Sequence, residues 1–136
     1  MRTALLLRIA SVISLLFAAG HTLGGRKSWS PLGETEVLKA MRTFRFETSG
    51  VSRTYLDFYL GFGFTISVYL LLQAILLWQL AEIARTEPLQ VRPMIGSFAL
   101  ATLACGLLSW RFIFPVPVVF SAVLTACLAL AFFVAR

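Results

Sequence analysis

A chain of 136 residues is long enough for one domain and no more. Hydrophobic residues make up 59% of it and charged residues 13%; a soluble protein this small has no interior able to hide so much apolar surface, whereas a bilayer can solvate it. The formal net charge is +6, but the basic residues stand at the ends of apolar runs, which argues against nucleic acid and for membrane lipids as the partner.

The first apolar run covers residues 4–23 and is interrupted only by Arg8. Arg8 stands about one turn from the membrane edge, close enough to snorkel to the headgroups. A rival reading is a signal peptide: Arg2 and Arg8 as its basic region, Ile9 to Phe17 as its apolar core, Ala18-Ala19-Gly20 as its cleavage site. A retained membrane helix is the expectation.

Loop one follows, residues 24–54. It holds six basic residues (Arg26, Lys27, Lys39, Arg42, Arg45, Arg53) and three acids (Glu34, Glu36, Glu47). Loops this long are usually functional or partly structured. Ser30-Pro31 reads as an N-cap and a first-turn proline. Val37, Leu38, Met41 and Phe44 recur at helical spacing, which predicts a short amphipathic surface helix within about 31–44, with these side chains toward the membrane or the bundle. Phe44 to Glu47 alternates and predicts extended chain.

The second span is expected at 55–84, longer than the ~20 residues a crossing needs, so it must tilt or protrude. Thr54-Tyr55-Leu56-Asp57 fits a capping box. Asp57, Gly61, Thr65, Tyr69 and Gln73 recur every four residues, a stripe that drifts ~40° per step and reads as helix packing. Trp78, Gln79, Glu82 and Arg85 mark an interfacial end. The third span, 94–114, is expected to open at Arg92-Pro93 and to end near Trp110 and Arg111. Pro115 and Pro117 should break the chain before a fourth span at 118–135. Cys105 and Cys127 lie inside apolar runs, with no Cys-x-x-Cys and no Cys/His cluster, so neither a metal nor another cofactor is expected. The fold class is therefore all-α: one membrane domain, 1–136, forming a bundle of four transmembrane helices.

Four spans put both termini on one side, with Arg2, Arg8, Arg85, Arg92 and Arg136. The other side has the six basic residues of loop one and Arg111. The balance decides little, and cytoplasmic termini are preferred because short segments obey the positive-inside rule best.

The polar residues that could carry chemistry converge at the loop-one end. A pocket is expected there, bordered by His21, Arg45, Glu47, Arg53 and Asp57. Arg45 and Arg53 would hold an anionic or zwitterionic headgroup while apolar walls take its chain, and His21 or Asp57 would carry a proton if catalysis occurs. Structural readings stand beside these: Asp57 as a helix cap, His21 bonded to helix-end carbonyls, Arg111 beside Trp110 as an interfacial anchor.

The segments Met41-Arg42-Thr43-Phe44-Arg45-Phe46 and Arg53-Thr54-Tyr55-Leu56-Asp57-Phe58-Tyr59-Leu60-Gly61-Phe62-Gly63 resemble a recurring stretch of small bacterial four-span membrane proteins of unknown function. The resemblance implies the four-span fold and a bacterial inner membrane, and no activity. The size is also similar to the membrane-associated eicosanoid and glutathione metabolism proteins, whose Asn- and Glu-rich motif at the start of span two is unmatched here. The small multidrug exporters depend on a glutamate in span one, and this span has none.

Three classes stay open, in this order: a binding protein or enzyme for an amphiphilic molecule at the loop-one face, an oligomeric transporter or channel, and an assembly subunit of a membrane complex. A homo-oligomer is compatible with each.

Overall fold

The computed structural model describes residues 1–26 and 32–136. In chain order the elements are α1 (Arg2–Arg26), α2 (Glu36–Thr43), β1 (Arg45–Thr48), β2 (Val51–Thr54), α3 (Tyr55–Ile83), α4 (Pro88–Phe112) and α5 (Pro115–Val134). Helices α1, α3, α4 and α5 are each long and apolar enough to cross a membrane. The protein is an all-α, multi-pass integral membrane protein.

The chain forms two compact units. The first comprises Met1–Phe17 and Leu70–Arg136. All four long helices supply its core: Leu7 and Ala10 from α1, Leu77 and Ala81 from α3, Val91 and Ile95 from α4, Leu124 and Leu128 from α5. Leu5, Leu16, Leu72, Leu100, Leu107 and Leu130 point outward. Leaving one such side chain in water forfeits about 1.5–3 kcal/mol relative to burial, so hydrocarbon must cover this surface.

Polar contacts tie α1 to α3 within this unit. The Ser11 hydroxyl donates to the Ala74 carbonyl at 2.6 Å, and Gln73 Nε2 donates to Ser14 Oγ at 2.8 Å. Arg8 forms an ion pair with Glu82, which Arg85 also contacts at 3.2 Å. Snorkelling is therefore not the whole explanation of Arg8: a carboxylate on the neighbouring helix holds it.

Helix α4 starts six residues before the expected 94. Pro88, not Pro93, occupies the first turn, and Glu87 is the N-cap. Pro93 lies inside the helix, where the missing N–H removes one bond, to the Leu89 carbonyl. Pro115 likewise opens α5 rather than breaking the chain, with Phe114 as N-cap, so the fourth helix begins at 115 and not 118. The tight α4–α5 connection, residues 113–114, keeps the two helices close. A methyl group added at Gly106 would meet Ser121 Cβ at 3.2 Å, and Thr125 Oγ1 donates to Thr102 Oγ1 at 2.9 Å.

The second unit is Ala18–Tyr69. The expected helix start at Ser30-Pro31 lies outside the described residues; the helix that is present, α2, is capped by Thr35, whose hydroxyl accepts from the Leu38 N–H at 3.2 Å. Leu38 is buried, Met41 is half-buried, and Val37 and Phe44 point outward. Strands β1 and β2 form an antiparallel hairpin. Its two-residue turn has positive φ at both positions, Ser49 (52°) and Gly50 (76°), the pairing that matches the twist of a tight hairpin. The alternation after Phe44 thus marks the first of two strands.

Stability should follow this division of surfaces. Leu7→Ala, in the core of the first unit, is expected to cost about 2–5 kcal/mol. Leu5→Ala, outward on the same helix, should stay within about 0.5 kcal/mol. Reversible unfolding in mixed micelles would compare them, and equal losses would contradict the assigned core.

Candidate functional site

All five residues expected at the loop-one end belong to the second unit, so their geometry can be built within it. The start of α3 is set by its cap. Thr54 Oγ1 accepts from the Asp57 N–H at 3.1 Å, and Asp57 Oδ2 accepts from the Thr54 N–H at 2.9 Å. This reciprocal pair satisfies two backbone donors that a helix start leaves orphaned. Asp57 is thus occupied first as a cap, while Arg45 and Arg53 attract its carboxylate through space.

The hairpin register separates the other candidates. Arg45 lies opposite Thr54 and Glu47 opposite Ser52, so these four share one face. Phe46 lies opposite Arg53 and Thr48 opposite Val51, so these share the other. Arg45 and Glu47 therefore point away from the side on which Arg53 projects. On the Arg53 face the Phe46 ring packs on Tyr55 (centroids 5.0 Å apart) and on Phe58 (6.0 Å), and Phe58 packs edge-on against Phe62 (4.9 Å). Tyr55, Phe58 and Phe62 recur at i, i+3 and i+7, one stripe of α3, and all three are more than half exposed. Arg53 thus shares a hairpin face with Phe46, whose ring packs on this stripe. One of the five N–H donors of Arg53 goes to the Ser52 carbonyl at 2.9 Å, and the side chain is exposed.

His21, on α1, meets α3 at another level. Its Nδ1 is 3.0 Å from Ser67 Oγ, and the Ser67 hydroxyl also reaches the Gly63 carbonyl at 3.4 Å. Ser67 is ten residues beyond Asp57, which is about 15 Å of helix axis. The structure therefore groups Arg45, Arg53 and Asp57 around the start of α3, carries Glu47 on the Arg45 face, and places His21 at a different level. A direct His21–Asp57 acid–base pair is not formed.

Sequence reasoning missed a second charged cluster, in the first unit. Arg8 and Arg85 share Glu82, and the Arg8 guanidinium lies 5.2 Å from the centre of the Trp78 ring. Beside it runs a shallow apolar groove of about 280 Å³ lined by Arg8, Ile9, Val12, Ile13 and Trp78. The available signal was the pairing of ends: the one charge inside run one falls opposite the charged end of run two once the helices are threaded antiparallel.

Among the described residues, no group of three or more His, Cys, Asp or Glu side chains is placed to hold a metal ion. No family model, curated protein or solved structure matches this chain.

The capping pair makes its own prediction. Thr54→Ala should destabilise the start of α3 by about 1 kcal/mol, and Thr54→Ser should restore most of the loss. Amide exchange at residues 55–58 would read it, and unchanged protection in Thr54→Ala would contradict the cap.

Proposed function

We propose that this protein lies in a bacterial cell membrane and binds an amphiphilic small molecule or lipid at the loop-one face. One observation carries the reading: Arg53 shares a hairpin face with Phe46, whose ring packs on Tyr55 and Phe58 of the exposed stripe Tyr55, Phe58 and Phe62. An anionic group of the ligand head would take N–H donors of Arg53 on its own face of the hairpin, and its hydrocarbon would lie on the aromatic rings. Aromatic side chains of this kind favour the boundary between headgroups and hydrocarbon, where one end of the ligand is wet and the other dry. His21, held at Ser67, is outside this contact.

The test uses a fluorophore-labelled lysophospholipid and the full chain in detergent. Arg53→Ala should weaken binding about tenfold or more, the scale of a lost charge-assisted hydrogen bond. Phe46→Ala should weaken it as well, and His21→Ala should leave it unchanged. If Arg53→Ala and Phe46→Ala fold and bind as the parent does, the reading fails.

A second reading, self-association through α3, is favoured by Gly61 and Gly63. Among the described residues nothing lies within 4 Å of a methyl group built at either position, so another helix could approach their backbone closely. Gly61→Leu would then convert a cross-linkable dimer into a monomer; a cross-linking pattern identical to the parent's would discard the idea.

A further inference from the structure

The charged cluster of the first unit is not used by the amphiphile reading, and it has the chemistry of a separate site. Three facts define it. Arg8 and Arg85 both contact Glu82, so two cations share one carboxylate and one positive charge is left over. The charge is accessible, because the Arg85 side chain is 63% exposed and those of Arg8 and Glu82 are 41% and 46% exposed. Among the described residues the Nε of Arg8 is buried without a hydrogen-bond partner, while its terminal nitrogen pairs with Glu82. The groove then leads away from Arg8 along Ile9, Val12, Ile13 and Trp78, and its lining is apolar.

We propose that this end of α1 and α3 binds one anionic phospholipid, with its phosphate at the Arg8–Arg85 cluster and an acyl chain in the groove. Charge complementarity selects the anionic head over a zwitterionic one. A phosphocholine brings its own cation to a site that already has a surplus, whereas a phosphatidylglycerol brings a single negative charge. The apolar floor selects a lipid over free phosphate, since inorganic phosphate would leave Ile9, Val12, Ile13 and Trp78 uncovered. Trp78, with Arg8 over its ring, stands between head and chain, the level at which tryptophan is favoured in a membrane. Glu82 acts as the limiter: it holds both arginines in place and reduces their net charge to one.

The lining tryptophan supplies the measurement. The sequence has three tryptophans, so Trp29→Phe with Trp110→Phe leaves Trp78 as the single emitter. The full-length protein would be reconstituted in phosphatidylcholine vesicles containing either dibrominated phosphatidylglycerol or dibrominated phosphatidylcholine, whose chain bromines quench a tryptophan in contact. Competition between the two should give phosphatidylglycerol an advantage of about fivefold, equivalent to the ~1 kcal/mol of one basic residue at an anionic surface. Arg85→Ala removes the surplus charge and should bring the ratio to about one. Glu82→Gln leaves both arginines uncompensated and should raise it. Equal quenching by the two lipids in the parent would show ordinary annular contact only and overturn the proposal. So would a preference that survives Arg85→Ala, or one that falls in Glu82→Gln. The loop-one reading is tested on Arg53 and Phe46, so either can fail alone.

Discussion

Inside hydrocarbon, every backbone N–H and C=O must find a partner within the protein, because an unpaired one costs several kcal/mol. The rest of this structure depends on that constraint. It makes the four apolar runs helical whatever their side-chain propensities, and α3 stays helical through β-branched and aromatic residues alike. It also explains where non-helical chain is allowed. The β1–β2 hairpin belongs to the polar loop, where water can serve the hydrogen-bonding groups on its two outer edges.

The same rule reaches the side chains. Ser11, Ser14, Thr102 and Thr125 are polar groups in apolar helices, and each has a bond: Ser11 to the Ala74 carbonyl, Ser14 to Gln73, Thr102 and Thr125 to one another. Such bonds contribute only about 0.6 kcal/mol apiece in membrane proteins, because the separated helices also find partners. Their larger effect is on register. The Ser11 and Gln73 bonds form at one level of the α1–α3 pair and so fix its height as well as its face, whereas the Thr102 and Thr125 hydroxyls also reach carbonyls of their own helices, those of Ala99 and Ser121.

Both charged clusters arise at the limits of that apolar region, and they use different physics. At the start of α3 the cap decides: Asp57 is drawn to orphaned backbone donors, and the hairpin that leads into Thr54 brings Phe46 onto Tyr55 and Phe58 with Arg53 beside it. In the first unit the cluster exists because Arg8, alone in its apolar run, needs a carboxylate, and Glu82 of α3 meets it. One site is a cation placed by strand register; the other is a shared ion pair with charge to spare.

The number of spans, the all-α class, the cap at Thr54 and Asp57 and the extended chain after Phe44 were all legible in the sequence. Each rests on a local rule: the length of an apolar run, a four-residue capping pattern, a two-residue alternation. Proline was legible only as a boundary, not as which boundary, since Pro88 and Pro93 both suit a helix start and the choice depends on which turn the chain adopts. The face of Arg53 was hidden until the hairpin register was known, because a shift of one residue would exchange its face with that of Arg45. His21 joined Ser67, and Arg8 joined Glu82, only through helix pairing across 46 and 74 residues of chain. Local sequence determined what each segment is; tertiary structure alone decided which side chains meet, because contacts between helices depend on register and rotation that no single segment encodes.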